Sequence, residues 1–167
     1  MLATATALER RGLEVVRFNF NYRDRGSRRP DPMPVLRSRY EEVVAAIRQN
    51  LGTRKLIIGG RSMGGRVATM LAAEGFPCDG LLLFAYPLHP AGQPEKLRDA
   101  HLPRIKVPVL CFNGTRDALC RRDLMERALT TVTTDWQMDW INGADHSLKG
   151  EKVVTEIADA TAAWLGR

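Results

Sequence analysis

Short apolar runs alternate with stretches of helical spacing along the whole chain. The runs that predict β-strands cover residues 14–20, 55–59, 80–86, 107–113 and 135–141. Residues 80–86 and 107–113 are almost wholly apolar, which is typical of central parallel strands that helices cover on both faces. The alternation predicts an α/β fold with a mostly parallel sheet of about five strands and helices on both faces.

Helical spacing predicts the elements between these strands. Helices are expected over residues 2–11, 64–74, 122–129 and 151–165, and another through Tyr40, Val43, Val44, Ile47 and Leu51. Gly12 is a natural stop for the first helix. Residues 21–34 are rich in Pro and Arg and lack periodicity, so they are expected to form a loop. There is no internal repeat or linker, which predicts a single domain over residues 1–167.

The composition limits the cellular compartment and the kinds of site expected for this domain. No apolar run reaches the ~20 residues of a membrane span, and the first residues do not resemble a secretory leader. The three cysteines are too few and too irregular for a disulfide framework or a zinc site. We therefore expect a cytoplasmic protein without a membrane partner.

The net charge of +6 raises the question of an anionic partner. One cluster stands out in the 21–34 loop, formed by Arg23, Arg25, Arg28 and Arg29. No nucleic-acid-binding module accompanies it, so the sequence does not favour a nucleic-acid partner. Because the loop follows a predicted strand, Arg23 is a candidate for binding an anionic group of a substrate. A solvated surface loop is the alternative interpretation.

The sequence Gly60-Arg61-Ser62-Met63-Gly64 matches the pattern G-x-S-x-G between a predicted strand and a predicted helix. In this pattern the serine occupies a sharp, strained turn, and glycines two positions away avoid collisions. The N-terminus of the following helix favours a developing oxyanion, which the backbone N–H of Met63 is placed to bind. The motif predicts Ser62 as a nucleophile, and a Gly-rich turn needed only for packing is the alternative.

A serine nucleophile needs a base and a residue that orients the base. His146 follows the last predicted strand, and Asp117 follows the strand before it, so both belong at the edge where parallel strands end. The order Ser, acid, His is that of serine hydrolases with an α/β sheet. Taken singly, Asp117 could cap a helix and His146 could be a helix-entry residue. Together, the three predict a catalytic triad.

Tyr86 and His89 follow the strand that is expected beside the serine turn. Their segment, Tyr86-Pro87-Leu88-His89-Pro90, leaves the sheet there and is a candidate lining for a substrate pocket. A connector stiffened by prolines is an equally good interpretation.

Four stretches carry a resemblance to a known family: residues 15–22, 59–66 (GGRSMGGR), 86–101 and 143–149 (GADHSLK). The chain resembles the bacterial α/β-hydrolase-like proteins, which are distantly similar to dienelactone hydrolases and whose eukaryotic relatives include a subunit of a chromatin-acetylating complex. The resemblance implies the α/β-hydrolase fold. Dienelactone hydrolases use a cysteine where Ser62 stands, so their particular activity is not implied.

The chain departs from that family at its N-terminus. Members begin with a strand and a His-Gly-rich loop, and the strand lies between those that correspond to residues 14–20 and 55–59 here. The loop supplies one oxyanion amide, and Met63 would supply the other. The resemblance therefore implies an N-terminally truncated sheet. Either the neighbouring strands close the gap, or Met1 is an internal methionine of a longer reading frame, which is the favoured interpretation.

These observations predict a serine hydrolase that acts on a small ester or related acyl compound through Ser62, Asp117 and His146. No metal ion or organic cofactor is implied. The alternative is a catalytically weak or inert interaction module on the same fold, because losing one oxyanion donor costs on the order of 10²–10³ in rate.

Overall fold

The computed structural model describes residues 1–51 and 54–166 of the chain. The helices are α1 (Leu2–Glu9), α2 (Asn21–Asp24), α3 (Met33–Leu51), α4 (Met63–Ala73), a short 3-10 helix (Leu102–Arg104), α5 (Arg122–Leu129) and α6 (Glu151–Leu165). The strands are β1 (Ile57–Arg61), β2 (Gly80–Phe84), β3 (Val109–Gly114) and β4 (Trp136–Ile141).

The four strands form one parallel sheet in the order β1-β2-β3-β4. Every strand therefore ends at the same edge, where the predicted site residues follow β1, β3 and β4. The strand β3 is buried along its whole length, as its apolar sequence predicts.

Alternate side chains of the strands face two separate layers of helices. Leu81, Leu83 and Cys111 belong to the core on the side of α3, α4 and α5. Leu110 and Phe112 belong to the core on the side of α6, against which α1 packs. This arrangement confirms the prediction of a mostly parallel sheet that is covered on both faces.

The predicted strand over residues 14–20 is wrong, and the sheet has four strands in the described residues rather than about five. The segment makes no ladder of hydrogen bonds with β1, so the neighbouring segments do not close a gap by pairing. It is held by aromatic packing instead: the ring centroids of Phe18 lie 5.1 Å from Tyr40 and 5.5 Å from Phe20, both edge to face. A strand needs a hydrogen-bonding neighbour as well as a suitable sequence.

The outer edge of β1 is partly covered by a side chain. The hydroxyl of Tyr40, on α3, donates to the carbonyl of Gly59 at 2.6 Å and accepts from the N–H of the same residue at 2.8 Å. Burial raises the pKa of Tyr40, so its hydroxyl keeps the proton that it donates. One side chain thus gives both polar groups of Gly59 a partner, which buried backbone requires.

The remaining predicted elements are found with small shifts at their ends. Residues 21–34 are not wholly a loop, because α2 forms at their start and α3 begins at Met33. Helices α5 and α6 have the predicted bounds. Leu51 is the last residue of α3, and the predicted packing of its side chain lies outside what the structure describes. No helix in the described ranges is both long enough and apolar enough to cross a membrane.

Candidate active site

Ser62 lies at the turn between β1 and α4 in a strained backbone conformation, with φ of 51°. The turn is held at both ends, since the N–H of Ser62 donates to the carbonyl of Phe84 at 2.9 Å and its own carbonyl accepts the N–H of Arg66 at 3.0 Å. A non-glycine residue with positive φ is uncommon and persists only where its surroundings enforce it. The turn therefore presents the Ser62 hydroxyl beyond the end of the sheet.

Close backbone contact explains one flanking glycine and corrects the reason for the other. A Cβ atom at Gly60 would lie 2.9 Å from the carbonyl carbon of Gly64, and φ at Gly60 is 153°. A Cβ atom at Gly64 would meet nothing within 4 Å, so the predicted collision there is wrong. The tight position is Gly65, whose added Cβ would lie 2.8 Å from the Gly60 carbonyl oxygen. The first turn of α4 directs position 64 away from the strand and position 65 towards it.

The structure brings Ser62, His146 and Asp117 together in one chain of hydrogen-bond distances. The Nε2 atom of His146 lies 2.9 Å from the Ser62 hydroxyl. Its Nδ1 atom lies 2.9 Å and 3.0 Å from the two carboxylate oxygens of Asp117. The Asp117 side chain is fully buried, whereas that of His146 keeps 27% of its exposure. The geometry is that of a nucleophile, a base and a residue that orients the base.

Asn113 holds the Asp117 carboxylate from behind. Its Nδ2 atom donates to Asp117 at 3.1 Å and to the carbonyl of Tyr86 at 3.2 Å, and its Oδ1 atom accepts the Tyr86 N–H at 3.0 Å. The N–H of Leu119 donates to the other carboxylate oxygen at 2.8 Å. Sequence reasoning missed Asn113, although a polar residue at the end of an otherwise apolar strand was the available signal.

The loop that carries His146 is fixed on two sides. A Cβ atom at Gly114 would lie 2.1 Å from the carbonyl oxygen of Ala144, so only glycine lets this loop approach the end of β3 so closely. On the other side, the Arg61 guanidinium donates to the His146 carbonyl at 3.0 Å. Arg61 is the variable residue before the serine in the motif, and no feature of the motif predicts this contact.

The amide of Met63 is available beside the Ser62 hydroxyl. It is the first residue of α4, and its N–H has no acceptor within residues 1–51 and 54–166. Free N–H groups and partial positive charge at a helix start stabilise a negative oxygen. This is the position that the sequence predicted for an oxyanion donor.

Three other predicted site residues are not brought to this place. The Tyr86 side chain is completely buried, and its hydroxyl donates to the Arg98 carbonyl at 2.8 Å. His89 is 2% exposed, and its Nε2 atom accepts the N–H of Arg121 at 3.2 Å. Both side chains hold a loop together rather than line a pocket. Arg23 lies exposed on α2, with no contact to Ser62 or His146 in the described part of the chain.

A cavity of about 140 Å³ lies behind the serine turn, on the side of α1 and α6. Its lining includes Arg61, Phe84 and Leu148 but none of the three hydrogen-bonded residues of the site. This cavity is therefore lined by chain neighbours of Ser62 and His146 and not by the two residues themselves.

Comparison with known proteins places this geometry in context. The family described as the alpha/beta hydrolase domain matches residues 1–163. An alpha-beta serine hydrolase homologue from Coxiella burnetii is similar in structure, with a TM-score of 0.78 and 18% identity over 98% of this chain and 74% of that chain. The esterase domain of a Rhodothermus marinus protein is also similar, with a TM-score of 0.70 and 17% identity over 98% of this chain and 77% of that chain.

Dienelactone hydrolase from Anabaena variabilis is a more distant structural match. Its TM-score is 0.60 and its identity 24%, over 79% of this chain and 59% of that chain. Likeness at these identities establishes a shared fold. Together with the family match, it confirms the fold class and the resemblance that the sequence predicted.

Proposed function

The chain belongs to the α/β-hydrolase family, and on that premise we propose that it is a serine hydrolase of small esters or related acyl compounds. The observation that carries the proposal is the 2.9 Å separation between the Ser62 hydroxyl and the Nε2 atom of His146. A serine hydroxyl is a weak nucleophile until a base within hydrogen-bond reach accepts its proton.

In the proposed reaction the Ser62 oxygen attacks the acyl carbon while His146 accepts the hydroxyl proton at Nε2. The charge that forms on the imidazole is stabilised by the buried Asp117 carboxylate, which also holds the Nδ1 proton. Because Asn113 and Leu119 already occupy the outer positions of that carboxylate, its orientation is set before the substrate binds. The bond to the alcohol then breaks, and the leaving oxygen takes the proton from His146.

The acyl group remains on Ser62 until water repeats the sequence with His146 as the base. In both halves the tetrahedral intermediate carries a negative oxygen, for which the free Met63 N–H is the proposed donor. The esterase domain among the chain's structural neighbours supports esters as the substrate class to try.

The test is covalent labelling of the folded chain with a fluorophosphonate, followed by intact-mass analysis. An activated Ser62 attacks phosphorus, displaces fluoride while His146 takes the hydroxyl proton, and forms a single stable adduct. We expect one adduct on the wild-type chain and none on Ser62→Ala. Ser38→Ala is the matched control, because this serine is exposed on α3 and is not part of the site.

Two results would contradict the proposal. An adduct that persists in Ser62→Ala would assign the reactivity to another residue. A folded wild-type chain that forms no adduct would mean that Ser62 is not activated. The second result would favour the interaction module that the sequence left as the alternative.

A further inference from the structure

Arg66, one turn after Ser62 on α4, has a guanidinium group without a partner. Its Nε atom is buried and has no hydrogen-bond acceptor, and its side chain takes part in none of the ion pairs of the described residues. A buried donor that has lost its hydration without gaining an acceptor destabilises the folded chain. Such a group calls for an acceptor that comes from outside the chain.

The residues near Arg66 come from α4 itself and from the segment between β2 and β3. Thr69, fully buried on α4, lies 2.9 Å through its hydroxyl from the Nε2 atom of His101. The buried Tyr86 hydroxyl donates to the backbone carbonyl of Arg98. The Arg98 guanidinium itself bonds a single carbonyl, that of Pro87, at 3.3 Å. The side chains of Arg66, Arg98 and His101 are all partly buried. Thr69 connects two of these residues, because its hydroxyl also donates to the Arg66 carbonyl at 2.8 Å.

Positive charge dominates this cluster. Burial, followed by the charges of Arg66 and Arg104, lowers the pKa of His101 to about 4, against smaller opposite effects of Asp99 and Glu74. Burial and Arg66 also lower the pKa of Arg98. Glu74 is already engaged by Arg37 on α3. Two arginines thus share a half-buried place that no carboxylate of the described residues neutralises.

We propose that Arg66 and Arg98 form a binding site for an oxyanion, a carboxylate or phosphate group. The planar fork of a guanidinium donates two parallel hydrogen bonds to such a group, and partial burial strengthens them. A bound anion would also give the buried Arg66 Nε–H the acceptor that it lacks. This site is separate from the exposed Arg23 cluster, whose Arg25 already pairs with Asp31.

The oxyanion has two possible sources, a free anion or a charged group of the ester. Ser62 and Arg66 are four residues apart, a backbone rise of about 6 Å along α4. A charged group of the ester is therefore a source to test beside a free anion. Only that second source rests on the proposed function; binding of a free anion does not.

The first experiment is titration of inorganic phosphate, followed through the Arg Nε–H signals of the ¹⁵N-labelled chain by NMR. We expect saturable shifts of the Arg66 and Arg98 signals in the wild type. Arg66→Met should raise the phosphate Kd at least ~10-fold, the loss expected for one or two charge-assisted hydrogen bonds. Arg104→Met is the control: it removes a nearby charge from an exposed position and should change the Kd less than ~3-fold.

The proposal is overturned if phosphate at concentrations up to ~10 mM does not shift the Arg66 Nε–H signal. The Kd would then be weaker than ~10 mM, which corresponds to a binding free energy of about −2.7 kcal/mol. It is also overturned if Arg66→Met binds phosphate as tightly as the wild type. Should Arg66→Met fail to fold, Arg66→Lys replaces it. Lysine keeps the charge without the fork and is expected to give an intermediate Kd.

A second arm identifies the source of the anion. It compares hydrolysis of p-nitrophenyl acetate with that of the negatively charged mono-p-nitrophenyl succinate. If the ester carries the anion, Arg66→Met raises the KM of the succinate ester more than that of the acetate, and phosphate competes with the succinate ester. If phosphate binds at Arg66 while the ratio of the two KM values stays constant, the site serves a free anion. Phosphate binding to a chain whose Ser62 is unreactive would overturn the proposed function and leave this site standing.

Discussion

Two polar side chains at the start of α4 differ in whether they have hydrogen-bond partners. One, Ser62, directly precedes the helix, and the other, Arg66, follows one turn later. The Ser62 hydroxyl belongs to a chain of contacts in which His146, Asp117 and Asn113 each have a partner inside the protein. The Arg66 guanidinium, also partly buried, has none among the described residues. Ser62 thus has its hydrogen-bond partners before any ligand binds, whereas Arg66 lacks an acceptor.

The contrast shows how a fold separates two tasks on one element. Buried polar groups that are fully hydrogen-bonded hold a fixed arrangement, which catalysis requires before the substrate arrives. A buried charge without a partner is stabilised most when a ligand supplies the opposite charge. Mutations that remove a partner from the first group, or the charge from the second, test whether the two groups differ as proposed.

The largest expected effect comes from Asp117→Asn. This change keeps the shape of the side chain that contacts His146 and removes its negative charge. An amide at this position cannot stabilise a protonated His146, so kcat for ester hydrolysis should fall roughly 10³–10⁴-fold. The measurement is steady-state hydrolysis of an aryl ester. Asp123→Asn is the matched control, because Asp123 is exposed on α5 and pairs only with Arg121. Equal activity of the two variants would remove Asp117 from the mechanism.

Asn113→Ala tests whether the Ser62 group depends on its buried support. The change leaves the buried Tyr86 N–H without its acceptor and removes one of the donors to Asp117 and to the Tyr86 carbonyl, which keep His146 and the Leu88 N–H, respectively. We expect the free energy of unfolding to fall by about 2–4 kcal/mol, measured by urea denaturation. Asn142→Ala, at an exposed position in the turn after β4, should change it little. A similar loss in both variants would contradict the supporting role of Asn113.

His101→Gln tests the charged surroundings of Arg66. The folded-state pKa of His101 is about 4, below its ordinary value of 6.5, so between these values the unfolded chain binds more protons. Stability from this residue is complete above pH 6.5 and is lost as the pH falls towards 4. Allowing for partial exposure, the loss is on the order of 1–2 kcal/mol and should be absent in His101→Gln.

The measurement for His101 is the urea midpoint at pH 7 and at pH 4.5. The wild type should lose more stability between these values than His101→Gln. Arg104→Met should fall between the two, because removing that charge raises the His101 pKa. Identical losses in the wild type and His101→Gln would show that His101 is not buried beside positive charge.

The smallest expected effect is that of Arg61→Met, which removes one contact to the His146 carbonyl and no group of the triad. A slightly displaced imidazole should lower kcat about 5- to 20-fold. The labelling rate of Ser62 by a fluorophosphonate should fall in parallel while the Tm stays nearly constant. Arg127→Met, exposed on α5, is the control. A fall in Tm without a fall in labelling rate would make Arg61 purely structural.

Much of this architecture was predictable because its signals are local. The apolar runs of β2 and β3 and the spacing within α5 and α6 lie within single elements, and the structure reproduces them. The glycine spacing around Ser62 indicated a strained turn, and the structure has one. Strand order then sufficed to predict that residues after β1, β3 and β4 would meet at one edge.

The failures concern partners that are distant in sequence. Residues 14–20 have the composition of a strand, but without a neighbouring strand they pack through Phe18 and Phe20 instead. Tyr86 and His89 have the chemistry of pocket residues, and packing of their loop buries both. Whether an apolar run pairs, or a polar side chain faces outward, depends on what other elements bring against it.

Residue order along the chain was enough to indicate the class of fold, the strained serine turn and the three residues of the candidate triad. Tertiary structure decided which contacts those residues make: His146 and Ser62 are 84 residues apart and meet at 2.9 Å. It also decided that Asn113 and Arg61 contact members of the candidate triad and that the Arg66 side chain has no partner among the described residues. Hydrogen bonds and burial are properties of groups that meet in space, so a local pattern names the candidates and packing determines their roles.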